Sequence, residues 1–197
     1  MRVYLIGQKW LGAEVLELMK RRGYDIAGCC APEGDRLAKA AGGLAIAPAR
    51  LTPDMLPDRL DLIVCAHAHV FVKADVRERA RLGALGYHPS LLPRHRGRDA
   101  VVWTVKMGDP IAGGSIYWLD DGADTGPIAA QLHCFVHPGD TADTLWRRAL
   151  GPLGLQLFER VFDDLERGQV IRAPQDEAAA TWEPSYRAPA FKTMVAR

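Results

Sequence analysis

The sequence has few of the features that set special classes of protein apart. Its 197 residues include only four cysteines, and no two of them form the CxxC pair typical of zinc or redox sites. No run of 18 apolar residues is present, so no membrane span is predicted, and the N-terminus lacks a secretory signal pattern. With 25 basic and 24 acidic residues, the formal net charge is only +1. The sequence therefore indicates a globular cytoplasmic protein with reduced thiols, without a membrane partner and without the basic surface that nucleic acids require.

The sequence does contain an alternation of short apolar runs with helical patterns. The strongest run covers residues 60–66, where three strand-forming residues are consecutive, as in a strand that is buried on both faces. Weaker runs at residues 2–6 and 26–30 are separated by apolar residues at helical spacing. This alternation predicts an α/β fold with a mainly parallel twisted sheet and helices on both faces.

The C-terminal part of the chain changes in character. Residues 141–167 form a long helical pattern that is interrupted near a Gly-Pro pair at residues 151–152. From residue 173 the sequence is rich in alanine and proline and has little periodicity. We therefore expect one domain over residues 1–170 and an extension over residues 171–197 that packs on the domain or on a partner, for example in a homodimer.

Two loops carry residues suited to acid–base chemistry. One reads HPSLLPRHRG at residues 88–97, and the other reads DDGADTG at residues 120–126. Ligands of open α/β sheets bind beyond the carboxyl ends of the strands, and we expect both loops to lie at that edge. A histidine that meets a carboxylate there can shuttle a proton near neutral pH, because the carboxylate orients the ring. Each loop alone also fits a structural role, the second one as a turn or a weak cation site.

At these two segments the sequence resembles the folate-dependent formyltransferase family. The matching segments are HPSLLPRHRG and the longer GGSIYWLDDGADTGPIAAQ at residues 113–131. The likeness covers roughly residues 1–170. The sequence resembles the catalytic domains of glycinamide ribonucleotide and methionyl-tRNA formyltransferases, and it resembles most the hydrolase domain of 10-formyltetrahydrofolate dehydrogenase. The resemblance implies a Rossmann-like formyltransferase fold that uses 10-formyltetrahydrofolate to formylate an amine of a small metabolite. Hydrolysis of that donor to formate and tetrahydrofolate, and non-catalytic folate binding, are the alternatives.

Members of the family use an Asn-His-Asp set, and the resemblance implies catalytic roles for His88 and Asp124. The position of the family asparagine, two residues before the histidine, is occupied by Gly86. A glycine has no side chain that could donate to the oxyanion formed during transfer, and removing one such donor typically costs about 10²–10³ in turnover. Since the related hydrolase domain also lacks the asparagine, Gly86 favours hydrolysis, or it leaves space for a water molecule or a bulkier acceptor.

The resemblance also implies where the donor binds. Its pterin would enter a slot between residues 65–71 and residues 120–124, where it would bond mostly to backbone groups. The implied contact residues are Ala66, His67, His69, Phe71, Leu85, Ser90, Leu92, Asp120, Asp121 and Gly122. A cis peptide is implied between Leu92 and Pro93, and no metal is required. The partner is then a small-molecule amine or water.

Two further features have more than one interpretation. The segment at residues 7–10, GQKW, opens the first helix, where some relatives bind a phosphate of the acceptor. A basic cluster of Arg94, His95, Arg96 and Arg98 could meet a phosphate or the glutamate tail of the folate. The first segment is not a full glycine-rich phosphate motif, and its Trp10 fits a packing role equally well. The basic cluster fits a solvated loop equally well.

Overall fold

A single sheet organises the part of the chain that the structure, a computed structural model, describes: residues 1–68 and 70–186. Its strands are β1 (Arg2–Gly7), β2 (Asp25–Cys30), β3 (Ala45–Ile46), β4 (Leu62–Ala66), β5 (Ala84–His88), β6 (Ile111–Trp118) and β7 (Ile128–Phe135). The strand order is β3-β2-β1-β4-β5-β6-β7. The first five strands pair in parallel, and β6 and β7 pair antiparallel. The mainly parallel α/β sheet predicted from the sequence is therefore confirmed.

The helices lie between the strands and after the last of them. They are α1 (Lys9–Arg21), α2 (Arg36–Ala41), α3 (Ala74–Arg77), α4 (Ala100–Lys106), α5 (Ala142–Leu145) and α6 (Gly151–Glu166), with 3-10 turns at Gly42–Leu44, Pro53–Met55 and Glu177–Ala179. Within residues 1–68 and 70–186, no helix is long and apolar enough to cross a membrane.

Two helices differ from the sequence pattern. Residues 74–82 have a sequence pattern typical of a helix, but α3 ends at Arg77, because Arg81 donates its N–H to the carbonyl of Leu60 and the chain turns into β5. The long C-terminal helix is interrupted by a π-helical turn at Trp146–Leu150, not at the Gly-Pro pair that follows it. Pro152 lies in the first turn of α6, where the missing N–H of a proline leaves no hydrogen bond unmade.

Apolar side chains cover both faces of the sheet. On one face α1 and α6 pack against the strands, and Leu85 and Tyr87 of β5 belong to this cluster. On the other face a smaller cluster that includes Cys65 and Val76 lies under α3. Each fully buried leucine or phenylalanine contributes about 1.5–3 kcal/mol, so these clusters hold the strands in place. Since side chains alternate along a strand, Gly86 and His88 face away from α6.

Residues 171–186 run along the surface of the domain beside the loop that follows β5. The N–H of Thr181 donates to the carbonyl of Pro93, and the N–H of Arg96 donates to the carbonyl of Thr181. Further along, the indole N–H of Trp103 donates to the carbonyl of Pro184 over 3.0 Å. The rest of the extension, residues 187–197, lies outside the described residues, and the domain boundary at residue 170 stays a prediction.

Candidate active site

The imidazole of His88 lies at the end of β5 and is held at both nitrogens. Its Nε2 is 2.7 Å from the carbonyl oxygen of His95, and its Nδ1 is 3.4 Å from Oδ2 of Asp124. A carbonyl oxygen only accepts, so Nε2 carries a proton and donates it. Nδ1 is the nitrogen that faces the carboxylate of Asp124. The side chain of His88 is only 8% exposed, so few positions for water remain around this pair.

Asp124 reaches His88 by a path that the sequence did not suggest. Because β6 runs antiparallel to β5, the acidic loop leaves the sheet at the beginning of β5, where the N–H of Leu119 donates to the carbonyl of Ala84. The expectation that both loops start at the carboxyl edge is therefore wrong for the acidic loop. It folds back along the face of the sheet instead. Asp124 itself adopts a φ of 58°, a left-handed conformation that costs a residue with a side chain free energy unless its contacts hold it.

Both oxygens of the Asp124 carboxylate accept hydrogen bonds. The hydroxyl of Tyr117 donates to Oδ1 over 2.5 Å, and the backbone N–H of Gly97 donates to Oδ2 over 2.8 Å. Burial raises the pKa of Tyr117 well above its usual value, and the charge of Asp124 raises it further, so the phenol stays protonated and keeps donating. The role of Tyr117 is not visible in the sequence. It emerges from strand register, which sets this residue opposite Gly86.

The space beside Gly86 is not empty. A Cβ atom built on this glycine would lie 2.8 Å from Cδ1 of Leu119 and 3.2 Å from Cε1 of Tyr117. The expected room for a water molecule or a bulky acceptor is therefore absent on this side of Gly86. The side chains of Tyr117 in β6 and Leu119 in the loop after it fill that room. An apolar contact and a tyrosine ring thus lie where no asparagine side chain is present.

One arginine bonds to the acidic loop and to Val72, which directly follows the other segment expected to flank the pterin. Arg77 donates from Nη1 to the carbonyl of Val72 over 2.7 Å and from Nη2 to Oδ1 of Asp121 over 2.6 Å. In the same loop Oδ1 of Asp120 accepts from the N–H of Gly122 over 3.0 Å, which closes a tight turn. Arg77 was not among the residues expected from the sequence, because no local pattern marks an arginine on a short helix as a bracket between two loops.

The other residues expected at the donor site differ in accessibility. Ala66, Leu85, Ser90 and Leu92 are buried, His67 is half-buried, and Phe71 is 59% exposed. Because the side chain of Leu85 lies in the core beside α6, only its backbone could meet a ligand. His69 lies outside the described residues. The peptide between Leu92 and Pro93 is cis, as the resemblance implied. Contact of these residues with a donor stays a prediction.

The basic cluster after His88 is largely neutralised within the protein. Arg94 donates to both oxygens of Asp109 over 2.9 and 2.7 Å. The side chain of Arg96 is 1% exposed and donates to Glu177 and Gln175. Two of the three arginines are therefore already paired, which leaves little basic surface for a phosphate or a glutamate tail.

A cleft of about 200 Å³ opens near the ends of β1, β2 and β4, and β4 is the neighbour of β5, which carries His88. Its lining combines apolar groups with the start of α1: Ile6, Gly7, Gln8, Cys30, Pro32 and Val70. Within the described part of the chain, Nε2 of Gln8 is a buried donor without a hydrogen-bond partner. The cleft is thus an apolar chamber with at least one polar group able to orient a ligand.

Comparison with known proteins identifies the family of this chain. A family model described as Formyl transferase matches residues 47–159, which is more than half of the chain. The chain belongs to the formyl transferase family. It is 34% identical over 201 residues to the mitochondrial 10-formyltetrahydrofolate dehydrogenase of Homo sapiens, with 93% of this chain and 22% of the relative covered. The chain thus spans about a fifth of the length of that relative.

Solved structures of other formyltransferases share the fold. Glycinamide ribonucleotide transformylase 1 from Symbiobacterium toebii superposes with a TM-score of 0.72 at 23% identity, over 89% of this chain and 93% of that one. The N-formyltransferase from Helicobacter canadensis, solved in complex with folinic acid and dTDP-3-aminofucose, gives a TM-score of 0.76 at 14% identity. This match covers 93% of this chain and 70% of that one. The formyltransferase fold is therefore confirmed for this family member.

Proposed function

We propose that this chain takes the formyl group of 10-formyltetrahydrofolate and transfers it to an amine of a small metabolite. The observation that carries the proposal is the 3.4 Å approach of Nδ1 of His88 to Oδ2 of Asp124 in a member of the formyl transferase family. An imidazole that can hold a proton beside a carboxylate is the arrangement that acyl transfer between two nitrogens requires.

The reaction then follows from carbonyl chemistry. The amine nitrogen attacks the formyl carbon, the electrons of the C=O bond move to oxygen, and a tetrahedral oxyanion forms. His88 donates a hydrogen bond from Nδ1 to this oxygen, and Asp124 accepts the proton that the amine gives up, directly or through water. Collapse of the intermediate breaks the bond to N10, which takes up the proton that Asp124 accepted, and releases tetrahydrofolate and the formylated amine. A positioned acid–base group of this kind contributes on the order of 10²–10⁴ in rate.

The cleft beyond the ends of β1, β2 and β4 supports an acceptor larger than water. Its volume of about 200 Å³ is well above the about 10–15 Å³ that one water molecule needs, and the amide of Gln8 offers it a donor. The Helicobacter canadensis enzyme of the same fold was solved with an amino sugar nucleotide, which supports an amine as acceptor.

Hydrolysis of the same donor is the second candidate, and Gly86 favours it. This position offers no side-chain donor to an oxyanion, and the chain is 34% identical to a 10-formyltetrahydrofolate dehydrogenase. In this reaction water replaces the amine, and formate is released with tetrahydrofolate.

One assay separates these candidates. The protein is incubated with 10-formyltetrahydrofolate alone and then with a panel of amines, while tetrahydrofolate and formate are measured. Turnover without an amine supports hydrolysis, and turnover that requires one supports transfer. Bound folate without turnover supports a non-catalytic role. His88→Ala and Asp124→Ala should abolish turnover while the far-UV circular dichroism is retained, and full activity in either variant would contradict the proposed site.

The proposal also includes a location in the cell and an oligomeric state. A reducing, cytoplasmic location is supported by the free thiols, three of which are buried, at Cys29, Cys30 and Cys65. Association of two copies through the extension is supported by the exposed side chains of Trp182 and Tyr186, and analytical ultracentrifugation tests it.

A further inference from the structure

We infer that Gln175, in the extension after α6, is a positioning residue that fixes the loop bearing Asp124 relative to the loop that holds His88. The catalytic consequence rests on the proposed function, because it concerns the same His88–Asp124 pair. The inference adds that residues outside the matched family region, which ends at residue 159, complete the site.

The side-chain amide of Gln175 uses all of its hydrogen-bonding capacity between the two loops. Its Nε2 donates to the carbonyl oxygens of Asp124 over 2.9 Å and of Gly126 over 2.7 Å. Its Oε1 accepts from Nε of Arg96 over 3.0 Å and from Nη2 of Arg96 over 2.7 Å. Two donated and two accepted bonds saturate a carboxamide, so the orientation of the amide is fixed.

The acidic loop, whose carbonyls accept from Gln175, needs such support. Asp124 has a φ of 58°, and the loop is irregular from Leu119 to Pro127. Gly126 lies so close to the carbonyl of Trp118 that no Cβ would fit there. The backbone around Asp124 therefore has few ways to relax, and the two carbonyls that Gln175 binds lie on either side of Thr125.

The loop that contains Arg96, which donates to Gln175, also binds the ring of His88. The carbonyl of His95 accepts from Nε2 of His88, and Arg96 is the next residue. The Arg96 side chain is 1% exposed and is also paired with Glu177, so its guanidinium is a fixed point. Gln175 thus links the residue that follows the His88 acceptor to the backbone of Asp124. The side chain of Gln175 therefore acts together with the bond from the N–H of Gly97 to Oδ2 of Asp124 to set the distance between His88 and Asp124.

The alternative is that Gln175 merely fastens the extension to the domain. Gln175→Glu separates the two roles, because a carboxylate still accepts from Arg96 but cannot donate to the carbonyls of Asp124 and Gly126. Arg172→Ala is the matched control. Arg172 fastens the same extension elsewhere, by donating to the carbonyl of Leu82 over 2.9 Å and lying 3.8 Å over the ring of Trp118.

The full chain is used for two measurements. In steady-state assays with 10-formyltetrahydrofolate we expect Gln175→Glu to lower kcat about 10- to 100-fold, since small displacements of reacting groups have effects of this order. KM for the donor should change less than about threefold. Hydrogen exchange of residues 119–127 should accelerate in Gln175→Glu, while Arg172→Ala leaves both kcat and this exchange close to wild type.

A kcat of Gln175→Glu within about threefold of wild type, or an equal loss in Arg172→Ala, would overturn the inference. Should Gln175→Glu fail to fold, Gln175→Met has similar length and removes the donor together with the acceptor for Arg96, and its kcat and hydrogen exchange are then compared with those of Arg172→Ala. If the wild-type chain shows no turnover, the proposed function fails by itself, and unchanged exchange of residues 119–127 in the variant then decides against the positioning role.

Discussion

Replacement of Asp124 by asparagine tests the acid–base pair with little disturbance of its surroundings. The backbone N–H of Gly97 only donates, so the asparagine oxygen should take the place of Oδ2 and the amide nitrogen should face Tyr117. The hydroxyl of Tyr117 can rotate and accept from that nitrogen. Both contacts survive, and only the negative charge beside Nδ1 of His88 is lost.

The expected magnitudes for stability and activity differ enough to be told apart. Exchanging charged for neutral hydrogen bonds should lower the free energy of unfolding by about 1–2 kcal/mol, or Tm by about 2–8 °C in a chain of this size. Loss of the general base should lower kcat by about 10²–10⁴, which corresponds to about 3–5 kcal/mol in activation free energy. The variant should therefore fold and bind folate but turn over slowly.

Asp109→Asn is the matched control for this variant. The side chains of Asp109 and Asp124 are both 16% exposed, and both contact a histidine ring. Asp109 also accepts from Arg94, whose hydrogen bonds lower the pKa of this carboxyl, so its loss should cost at least as much stability. Tetrahydrofolate release is measured for both variants beside their thermal unfolding. If Asp124→Asn keeps kcat within about threefold of wild type, or if Asp109→Asn loses as much, the acid–base reasoning is refuted.

Three further predictions concern Tyr117, Gly86 and the buried thiols. Tyr117→Phe removes the donor to Oδ1 of Asp124 and should lower kcat by about tenfold with little change in KM, as steady-state kinetics would show; an unchanged kcat would remove Tyr117 from the site. Gly86→Asn forces a Cβ against Leu119 and should cost about 1–3 kcal/mol in urea unfolding, which Leu119→Ala should partly restore; transfer activity gained in the double variant would support the missing-donor argument. Burial raises the pKa of the thiols of Cys29 and Cys65 to about 12, above the unfolded value of about 8.5. Their contribution to the free energy of unfolding is therefore complete below pH 8.5 and is lost as the pH rises toward 12, by about 1.4 kcal/mol per pH unit for each thiol. Unfolding free energies that stay constant from pH 8.5 to 11 would contradict this prediction.

Side chains of the extension contact the loop that contains His95 and Arg96. Glu183 lies 3.0 Å from Nδ1 of His95, and Gln175 and Glu177 both bind Arg96. The loop that carries the His88 acceptor is thus enclosed by side chains from beyond α6. The proposed catalytic pair depends on a segment that the sequence pattern treats as a tail.

The sequence by itself determined the fold class and several of the parallel strands, and it indicated which two loops carry residues suited to acid–base chemistry. Buried strands have continuous apolar runs, and this local pattern is enough to predict β1, β2 and β4 and the parallel pairing that the helices between them impose. The two loops that carry His88 and Asp124 were also visible, because loops with unusual composition stand out from periodic segments, and the resemblance to the family then singled out these two residues.

Only the tertiary structure decided how those loops meet. Periodicity reports which face of an element is buried, but it carries no information on strand direction or register. The antiparallel direction of β6, the pairing of Tyr117 with Gly86 and the return of the acidic loop were therefore not predictable. The bond between Gln175 and the carbonyl of Asp124 joins residues 51 positions apart, in segments without periodicity. Such contacts form only when packing of the whole domain brings distant backbone and side-chain groups together.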